Sequence, residues 1–296
     1  MLPDGSLAGR VAVVTGGGTG LGRAMALELG RLDAKVAVLG RRREPLDETV
    51  AQLDGDGFAV QADVRDPDAV AAAFDAAEEA LGAVTTLVNN AAGNFLVRAE
   101  ELSPNGWRAV VGIVLDGTFH CSRELGRRVI ARTAALREGS GPRERVETAA
   151  RAPAQPLCGA DESAPPAERG GANAQIVNVV ATYAWTGGPG TVHSAAAKAG
   201  VVNLTRTLAV EWARYGIRVN AIAPGPIDTE ETRERLWPTE EIRDQLLRRI
   251  PLGRFGREEE IAHACSYLVS DYAGYVTGDV LTVDGGSWLE KGMFGR

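Results

Sequence analysis

The chain has few of the residues that build metal centres, disulfide frameworks or membrane spans. Its three cysteines, Cys121, Cys158 and Cys265, show neither paired nor metal-ligand spacing, which favours reduced thiols. Its three histidines form no cluster, so we expect no metal site. No run of about 18 apolar residues is present, and the first ten residues lack an apolar core for export. These absences predict a soluble cytoplasmic protein without a membrane partner.

The balance of charge and hydrophobicity narrows the function classes further. The formal net charge of −7 argues against a nucleic-acid-binding surface, whereas a small anionic ligand needs only a local basic site. Hydrophobic residues make up 45% of the 296 residues, which is enough for one large core. We therefore predict a single domain over residues 1–296 that binds small molecules and no nucleic acid.

A glycine-rich loop follows the first predicted strand. The strand Val11–Val14 leads directly into TGGGTGLG, residues 15–22, and then into an apolar-periodic helix over 23–31. Glycines let the backbone approach a pyrophosphate closely, and a helix N-terminus offers free N–H groups and a positive dipole end. This order is the context that a dinucleotide-binding motif requires, although a plain tight turn has a similar composition. The residues predicted to bind the cofactor here are Gly16, Thr19, Gly20, Leu21 and Gly22.

Three arginines, at positions 41–43, come after the second predicted strand, Lys35–Leu39, and are separated from it by Gly40. An acidic residue at this point would accept hydrogen bonds from the ribose hydroxyls of NAD, whereas an arginine suits the 2′-phosphate of NADP. Three adjacent arginines are also typical of a solvated charge run, and that interpretation fits Arg43 better than Arg41. The sequence therefore favours NADPH as the cofactor, with Arg41 near the 2′-phosphate.

Strands and helices alternate along the rest of the chain. Further strands are predicted over 58–61, 86–88, 176–180, 218–222 and 280–286, and helices over 68–81, 105–132, 194–212, 230–254 and 258–270. Alternating βα units imply an α/β fold, a single doubly wound Rossmann-type domain with a seven-stranded parallel sheet flanked by helices. Residues 134–174 are rich in Ala, Gly, Pro, Glu and Arg, which predicts a mobile surface insertion of roughly 30 extra residues.

One stretch brings reactive side chains to the end of a buried strand. The apolar run Ile176–Val180 is typical of a parallel strand, and an alanine-rich helix begins at Ser194 after a break at 187–190. Ser194 and Lys198 are four residues apart and share one helix face. Tyr183 follows the strand closely. Because open α/β sheets bind ligands beyond the carboxyl ends of their strands, these three side chains are candidate reactive groups.

In this order, the motifs resemble the short-chain dehydrogenase/reductase family. The resemblance rests on TGGGTGLG, Asp63 after the third strand, NNAAG over 89–93 and Pro224-Gly225 after the sixth strand, and it covers nearly the whole chain apart from 134–174. It implies an NADP-dependent oxidoreductase, a homotetramer and a substrate lid over residues 228–254. The cofactor contacts that it implies are Asp63, Val64, Asn90, Lys198, Pro224, Gly225 and Ile227.

The reactive positions depart from the usual Asn, Ser, Tyr and Lys of that family. Lys198 is retained, but Ser194 stands at the usual tyrosine position, Ala181 at the serine position and Val114 at the asparagine position. A serine hydroxyl is a far weaker acid than a phenol, so ordinary ketone reduction should fail. Tyr183 resembles the displaced tyrosine of the 2,4-dienoyl-CoA reductase branch, and AAGNF, LSPNGW, IVLDGT and PGPI resemble that branch too.

The resemblance to that branch implies NADPH-dependent reduction of 2,4-dienoyl-CoA thioesters to enoyl-CoA in unsaturated fatty-acid β-oxidation. Tyr183 would donate to the thioester oxygen, unless it only covers the pocket mouth; Lys198 would hold the nicotinamide ribose. Ser194 would assist the lysine or a bound water. For Asp116, in IVLDGT, we hypothesise either a carboxyl kept protonated by burial or a simple hydrogen-bond acceptor. The alternatives are a reductase of another enoyl- or 3-oxoacyl thioester and a catalytically silent NADP(H)-binding regulator.

Overall fold

The computed structural model describes residues 2–138, 173–235, 237 and 239–290. In these residues, the strands are β1 (Val11–Thr15), β2 (Lys35–Gly40), β3 (Gly57–Gln61), β4 (Thr86–Asn89), β5 (Ala174–Val179), β6 (Ile217–Pro224) and β7 (Val280–Val283). They form one sheet in the order β3-β2-β1-β4-β5-β6-β7, and each neighbouring pair is parallel. The predicted seven-stranded α/β fold is confirmed.

Helices cover both faces of the sheet. They are α1 (Gly20–Arg31), α2 (Arg43–Val50), α3 (Pro67–Leu81), α4 (Pro104–Val111), α5 (Gly117–Glu138), α6 (Tyr183–Thr186), α7 (Val192–Trp212), α8 (Glu230–Arg235), α9 (Glu240–Leu247) and α10 (Glu258–Val269). Successive side chains of a strand point to opposite faces. On β1, Val14 accordingly packs with Leu29 of α1 and Leu268 of α10, whereas Val13 packs with Phe74 of α3 and Leu125 of α5.

A π-helical turn at Gly112–Asp116 interrupts the single helix predicted over 105–132. The turn separates α4 from α5 and changes which side chains face the sheet. Turns of this kind are rare and occur often at functional sites. Because apolar periodicity continues through the turn, the sequence pattern alone does not reveal it.

Both ends of the range predicted as an insertion, 134–174, lie in regular elements of the structure. Helix α5 continues to Glu138, because Ala134, Ala135 and Leu136 are strong helix formers, and β5 already begins at Ala174. The remainder, residues 139–172, lies outside the described part of the chain, as does Cys158. The other two cysteines, Cys121 and Cys265, are buried free thiols.

Residues 228–254, predicted as a charged helical lid, contain the two short helices α8 and α9. Pro238, where the sequence predicts an interruption between them, lies outside the described residues. The short helix α2, which begins at Arg43, the third of the three arginines, was not predicted. Within the described ranges, no helix combines the length and the apolar character that a membrane crossing requires.

Candidate active site

A cleft of about 650 Å³ opens at the carboxyl ends of β1, β2 and β4. β1 lies between β2 and β4, so the chain changes its direction of travel across the sheet here, and open α/β sheets bind ligands at such a switch point. The predicted cofactor residues that line the cleft are Gly16, Thr19, Gly20, Leu21, Arg41, Asp63, Val64, Asn90, Pro224, Gly225 and Ile227. Two further predicted contacts, Gly22 and Lys198, are not part of this lining.

The glycine loop is shaped by close backbone packing. Gly16 and Gly20 have φ values of +64° and +53°, which side chains strongly disfavour. A Cβ on Gly22 would lie 2.1 Å from the Gly16 carbonyl oxygen, so Gly22 lets α1 pack against the loop and does not itself face the cleft. Thr19 makes no side-chain cap on α1, which leaves the first N–H groups of this helix to an anion such as a pyrophosphate.

Asn90 holds the glycine loop against the end of β4. Its Nδ2 donates to the carbonyl oxygens of Thr15, at 3.1 Å, and Gly16, at 3.3 Å. The backbone N–H groups of Asn90 and Ala91 donate to the Thr15 hydroxyl, both at 3.0 Å. Asn90 therefore positions the cofactor loop through its amide nitrogen and lines the cleft at the same time.

The three arginines after β2 have different surroundings. Arg41 and Arg42 line the cleft and are exposed, and neither forms an ion pair with another described residue. Arg43 begins α2 and pairs with Asp47 at 2.8 Å. Asp63, across the cleft, is held by Arg65, whose hydrogen bonds lower the pKa of the Asp63 carboxyl. A free helix N-terminus and two unpaired guanidinium groups in one cleft fit the pyrophosphate and the 2′-phosphate of NADP.

Tyr183, the first residue of α6, lies beside the start of α7. Its hydroxyl is 3.0 Å from the hydroxyl of Ser194, whose side chain is almost fully buried. Burial raises the pKa of the Tyr183 phenol, and the hydrogen bond to Ser194 only partly opposes this shift. At neutral pH the phenol is therefore protonated and can donate a hydrogen bond.

Lys198 lies one helical turn after Ser194 on α7 and is buried. Its ammonium group donates to the carbonyl oxygen of Val179, at the end of β5. Desolvation lowers the pKa of Lys198 to about 8, because burial penalises the charged form. The helix is fixed to the sheet by buried side chains: Asn178 of β5 donates to the Thr205 hydroxyl of α7 at 2.9 Å.

Asp116 is exposed at the end of the π-helical turn. The expectation that the Asp116 side chain is buried is therefore wrong. No hydrogen bond joins it to Tyr183 or Ser194 among the described residues. At this turn it is Val114 that packs against α7, through Ala197 and Val201, because residues two apart on a helical turn point in different directions.

Several residues that the sequence did not single out also line the cleft, namely Arg42, Pro45, Leu46, Ile113, Thr229, Thr232 and Trp237. Trp237 stacks on Phe255 with ring centroids 4.8 Å apart, and the Arg243 guanidinium lies over the same Phe255 ring. Arg243 also pairs with Asp228 at 3.0 Å. These contacts tie α9 and the segment after β6 to the cleft. Their only sequence signal is the aromatic and charged character of the segment.

Comparison with known proteins identifies the family. Two family models match the chain, "short chain dehydrogenase" over residues 10–136 and "Enoyl-(Acyl carrier protein) reductase" over residues 156–287. Over 289 residues, the chain is 42% identical to a Bacillus subtilis (strain 168) protein named "Probable 2,4-dienoyl-CoA reductase [(2E)-enoyl-CoA-producing]", covering 96% of this chain and 99% of that one. The chain belongs to the short-chain dehydrogenase/reductase family.

Other relatives and solved structures agree with this assignment. The peroxisomal 2,4-dienoyl-CoA reductase of Arabidopsis thaliana is 37% identical, over 96% of this chain and 86% of the relative. A short chain dehydrogenase from Bacillus anthracis is 39% identical with a TM-score of 0.76, covering 97% and 99% of the two chains. An Agrobacterium tumefaciens structure with bound NADP is 33% identical with a TM-score of 0.77 at the same coverage. The protein is an oxidoreductase, and the resemblance to the 2,4-dienoyl-CoA reductase branch is confirmed.

Proposed function

We propose that this short-chain dehydrogenase/reductase reduces 2,4-dienoyl-CoA thioesters to enoyl-CoA with NADPH. The observation that carries the proposal is the 3.0 Å hydrogen bond between Tyr183 and Ser194, because it brings a phenol to the position that the family's usual tyrosine has vacated. Two relatives named 2,4-dienoyl-CoA reductase support the substrate class. Arg41 and Arg42 in the cleft, which form no ion pair with the described residues, and the NADP-bound structural relative support NADPH.

Reduction of a conjugated thioester builds negative charge on the thioester oxygen. A bound nicotinamide cofactor supplies the hydride. In this arrangement the Ser194 hydroxyl donates a hydrogen bond to the Tyr183 oxygen, 3.0 Å away, and the Tyr183 O–H donates a hydrogen bond to the thioester oxygen. Unlike a ketone, the thioester does not require an alkoxide to be protonated in the same step. A hydrogen-bond donor of raised pKa is therefore sufficient.

Lys198 stabilises the thioester oxygen electrostatically, over a longer distance than Tyr183 does. One N–H of its ammonium group donates to Val179, which leaves two N–H groups for the ribose hydroxyls of the cofactor. The positive charge favours the developing negative charge of the thioester oxygen in a site that excludes water. Because the pKa of Lys198 is about 8, the ammonium form predominates at neutral pH.

The remaining parts of the proposed site are assigned lesser roles. Asp116, exposed at the π-helical turn, serves as a hydrogen-bond acceptor, and a proton reaches the substrate carbon through water. Residues 228–254 cover the substrate, with Trp237 at the cleft and Asp228 tied to Arg243. We further infer a role in unsaturated fatty-acid β-oxidation, a cytoplasmic location and a homotetramer, which cell fractionation and size-exclusion chromatography test.

The experiment is a substrate comparison at the absorbance band of NADPH. Purified protein with NADPH should consume the cofactor with a 2,4-dienoyl-CoA and leave it unchanged with a matched enoyl-CoA or 3-oxoacyl-CoA. The match of residues 156–287 to an enoyl-(acyl carrier protein) reductase model favours a second candidate, the reduction of another enoyl thioester. Turnover of the simple enoyl-CoA would support that candidate. Tight NADPH binding without turnover of any thioester would indicate a silent regulator.

A further inference from the structure

His193, the second residue of α7, is a buried side chain that forms no hydrogen bond with the described part of the chain. The residue is fully buried, and both ring nitrogens lack a partner within the described residues. Buried polar groups are nearly always paired, because an unpaired one forfeits its bonds to water without compensation. The fold therefore bears a free-energy cost at the residue immediately before Ser194.

The surroundings of His193 show how a ligand could reach it. The ring of Phe95 lies against the imidazole with centroids 4.5 Å apart and planes tilted by 51°. Phe95 belongs to the segment after β4 and is 41% exposed. Two residues later, the N–H of Val97 donates to the carbonyl oxygen of Gly190 at 3.0 Å, which joins this segment to the loop before α7. An exposed aromatic ring thus covers the buried imidazole where the two loops meet.

A second histidine, His120, has a paired ring. Nδ1 of His120 lies 3.0 Å from the carbonyl oxygen of Val64. The pKa of His193, by contrast, is lowered by burial, so its imidazole is neutral at neutral pH and offers one N–H donor and one acceptor. These two groups have no partner among the described residues, and they belong to the residue next to Ser194 in the chain.

We propose that His193 is a substrate-binding residue whose ring N–H donates to a carbonyl oxygen of the acyl thioester, with Phe95 as a movable cover. The inference rests on the proposed function, because that function puts an acyl thioester beside Ser194. Thioester and pantetheine carbonyls share the acceptor chemistry that an imidazole N–H requires. Binding of the substrate pairs the orphaned ring and recovers the hydrogen bond that the free protein lacks.

The test is His193→Leu, a replacement that removes both ring nitrogens and puts an apolar side chain in this buried position. The free protein loses no hydrogen bond, so its Tm should stay equal or rise. The KM for a 2,4-dienoyl-CoA should increase about tenfold, with the Kd for NADPH unchanged. The kcat should stay within about twofold if a pantetheine carbonyl is the acceptor, and it should fall as well if the thioester oxygen is the acceptor. His193→Asn, which retains an N–H donor, should recover part of the KM. A truncated thioester without the pantetheine amides distinguishes the two possible acceptors. If His193→Leu also raises the KM for this substrate, the thioester oxygen is the acceptor; if it does not, a pantetheine carbonyl is.

The matched control is His120→Leu, which removes a paired ring. It should lower Tm and leave the KM for the thioester unchanged. A lower Tm for His193→Leu, or an unchanged KM, would show a structural role and overturn the inference about His193. A wild-type protein that oxidises NADPH with the dienoyl-CoA keeps the proposed function intact in either case. A wild-type protein that neither binds nor reduces any acyl-CoA would overturn the proposed function and this inference together.

Discussion

The cofactor cleft and the first turns of α7 lie on the same edge of one sheet, but they are built from different parts of the chain. The first turns of α7, with His193, Ser194 and Lys198, are called the reactive end here. Backbone groups and glycines shape the cleft, where the Asn90 amide donates hydrogen bonds to the carbonyl oxygens of Thr15 and Gly16. Side chains shape the reactive end, where His193 is buried without a hydrogen-bond partner among the described residues and Lys198 is buried with a lowered pKa. The glycine loop of the cleft is therefore stable without a ligand. The unpaired groups of the reactive end, by contrast, lower the stability of the folded protein when no ligand is bound.

This difference separates two kinds of mutational effect. Changes in the glycine loop of the cleft should damage folding and cofactor binding together, because the backbone shape of this loop forms its binding surface. Changes at the reactive end should reduce activity without reducing stability, because the groups there are buried at a cost to the folding free energy. The predictions below test this separation, starting with the largest effect.

Gly22→Ala tests the cleft most severely. The new Cβ would lie 2.1 Å from the Gly16 carbonyl oxygen, so the loop or α1 must move. We expect the free energy of unfolding to fall by about 3 kcal/mol and NADPH binding to be lost. Urea denaturation and NADPH titration measure both effects. Gly55→Ala is the control, because a Cβ there meets nothing within 4 Å; equal effects of the two variants would contradict the account.

Lys198→Met should show the opposite pattern. Removing the ammonium should reduce kcat about 100-fold, while Tm at pH 7 stays equal or rises because a desolvated charge is removed. In the wild-type protein, kcat should fall as the pH increases through about 8, where Lys198 loses its proton. Burial lowers this pKa from 10.5, so the cost to stability is full below about pH 8 and is relieved as the pH approaches 10.5. A flat pH profile from 7 to 9 would count against this role.

Much of the cleft could be predicted from the sequence, because glycine positions constrain the backbone directly. Gly16 and Gly20 do adopt the positive φ values for which glycine is suited, and every predicted strand is present. The reactive end was less predictable, because side-chain direction depends on tertiary packing. The π-helical turn leaves Asp116 exposed, and the missing partners of His193 become visible only once the loop carrying Phe95 is placed.

Arg41→Ala gives the smallest effect and sharpens the account of the cleft. Loss of one charge-assisted hydrogen bond to a 2′-phosphate should weaken NADPH binding about tenfold, with little change for NADH. Fluorescence titration with each cofactor measures the difference. Arg43→Ala is the matched control, since Arg43 pairs with Asp47 outside the cleft lining and should leave both affinities unchanged. Equal losses for NADPH and NADH would mean that Arg41 does not contact the 2′-phosphate.

The central claim is that the Tyr183 hydroxyl replaces the family's usual phenol as donor to the thioester oxygen. The most direct measurement is the single-turnover rate of NADPH oxidation by Tyr183→Phe with a saturating 2,4-dienoyl-CoA, beside the fully exposed Tyr275→Phe as control. We predict a fall of about 100-fold or more for Tyr183→Phe, with an unchanged Kd for NADPH and no change for Tyr275→Phe. A Tyr183→Phe rate close to that of the wild type would contradict the claim.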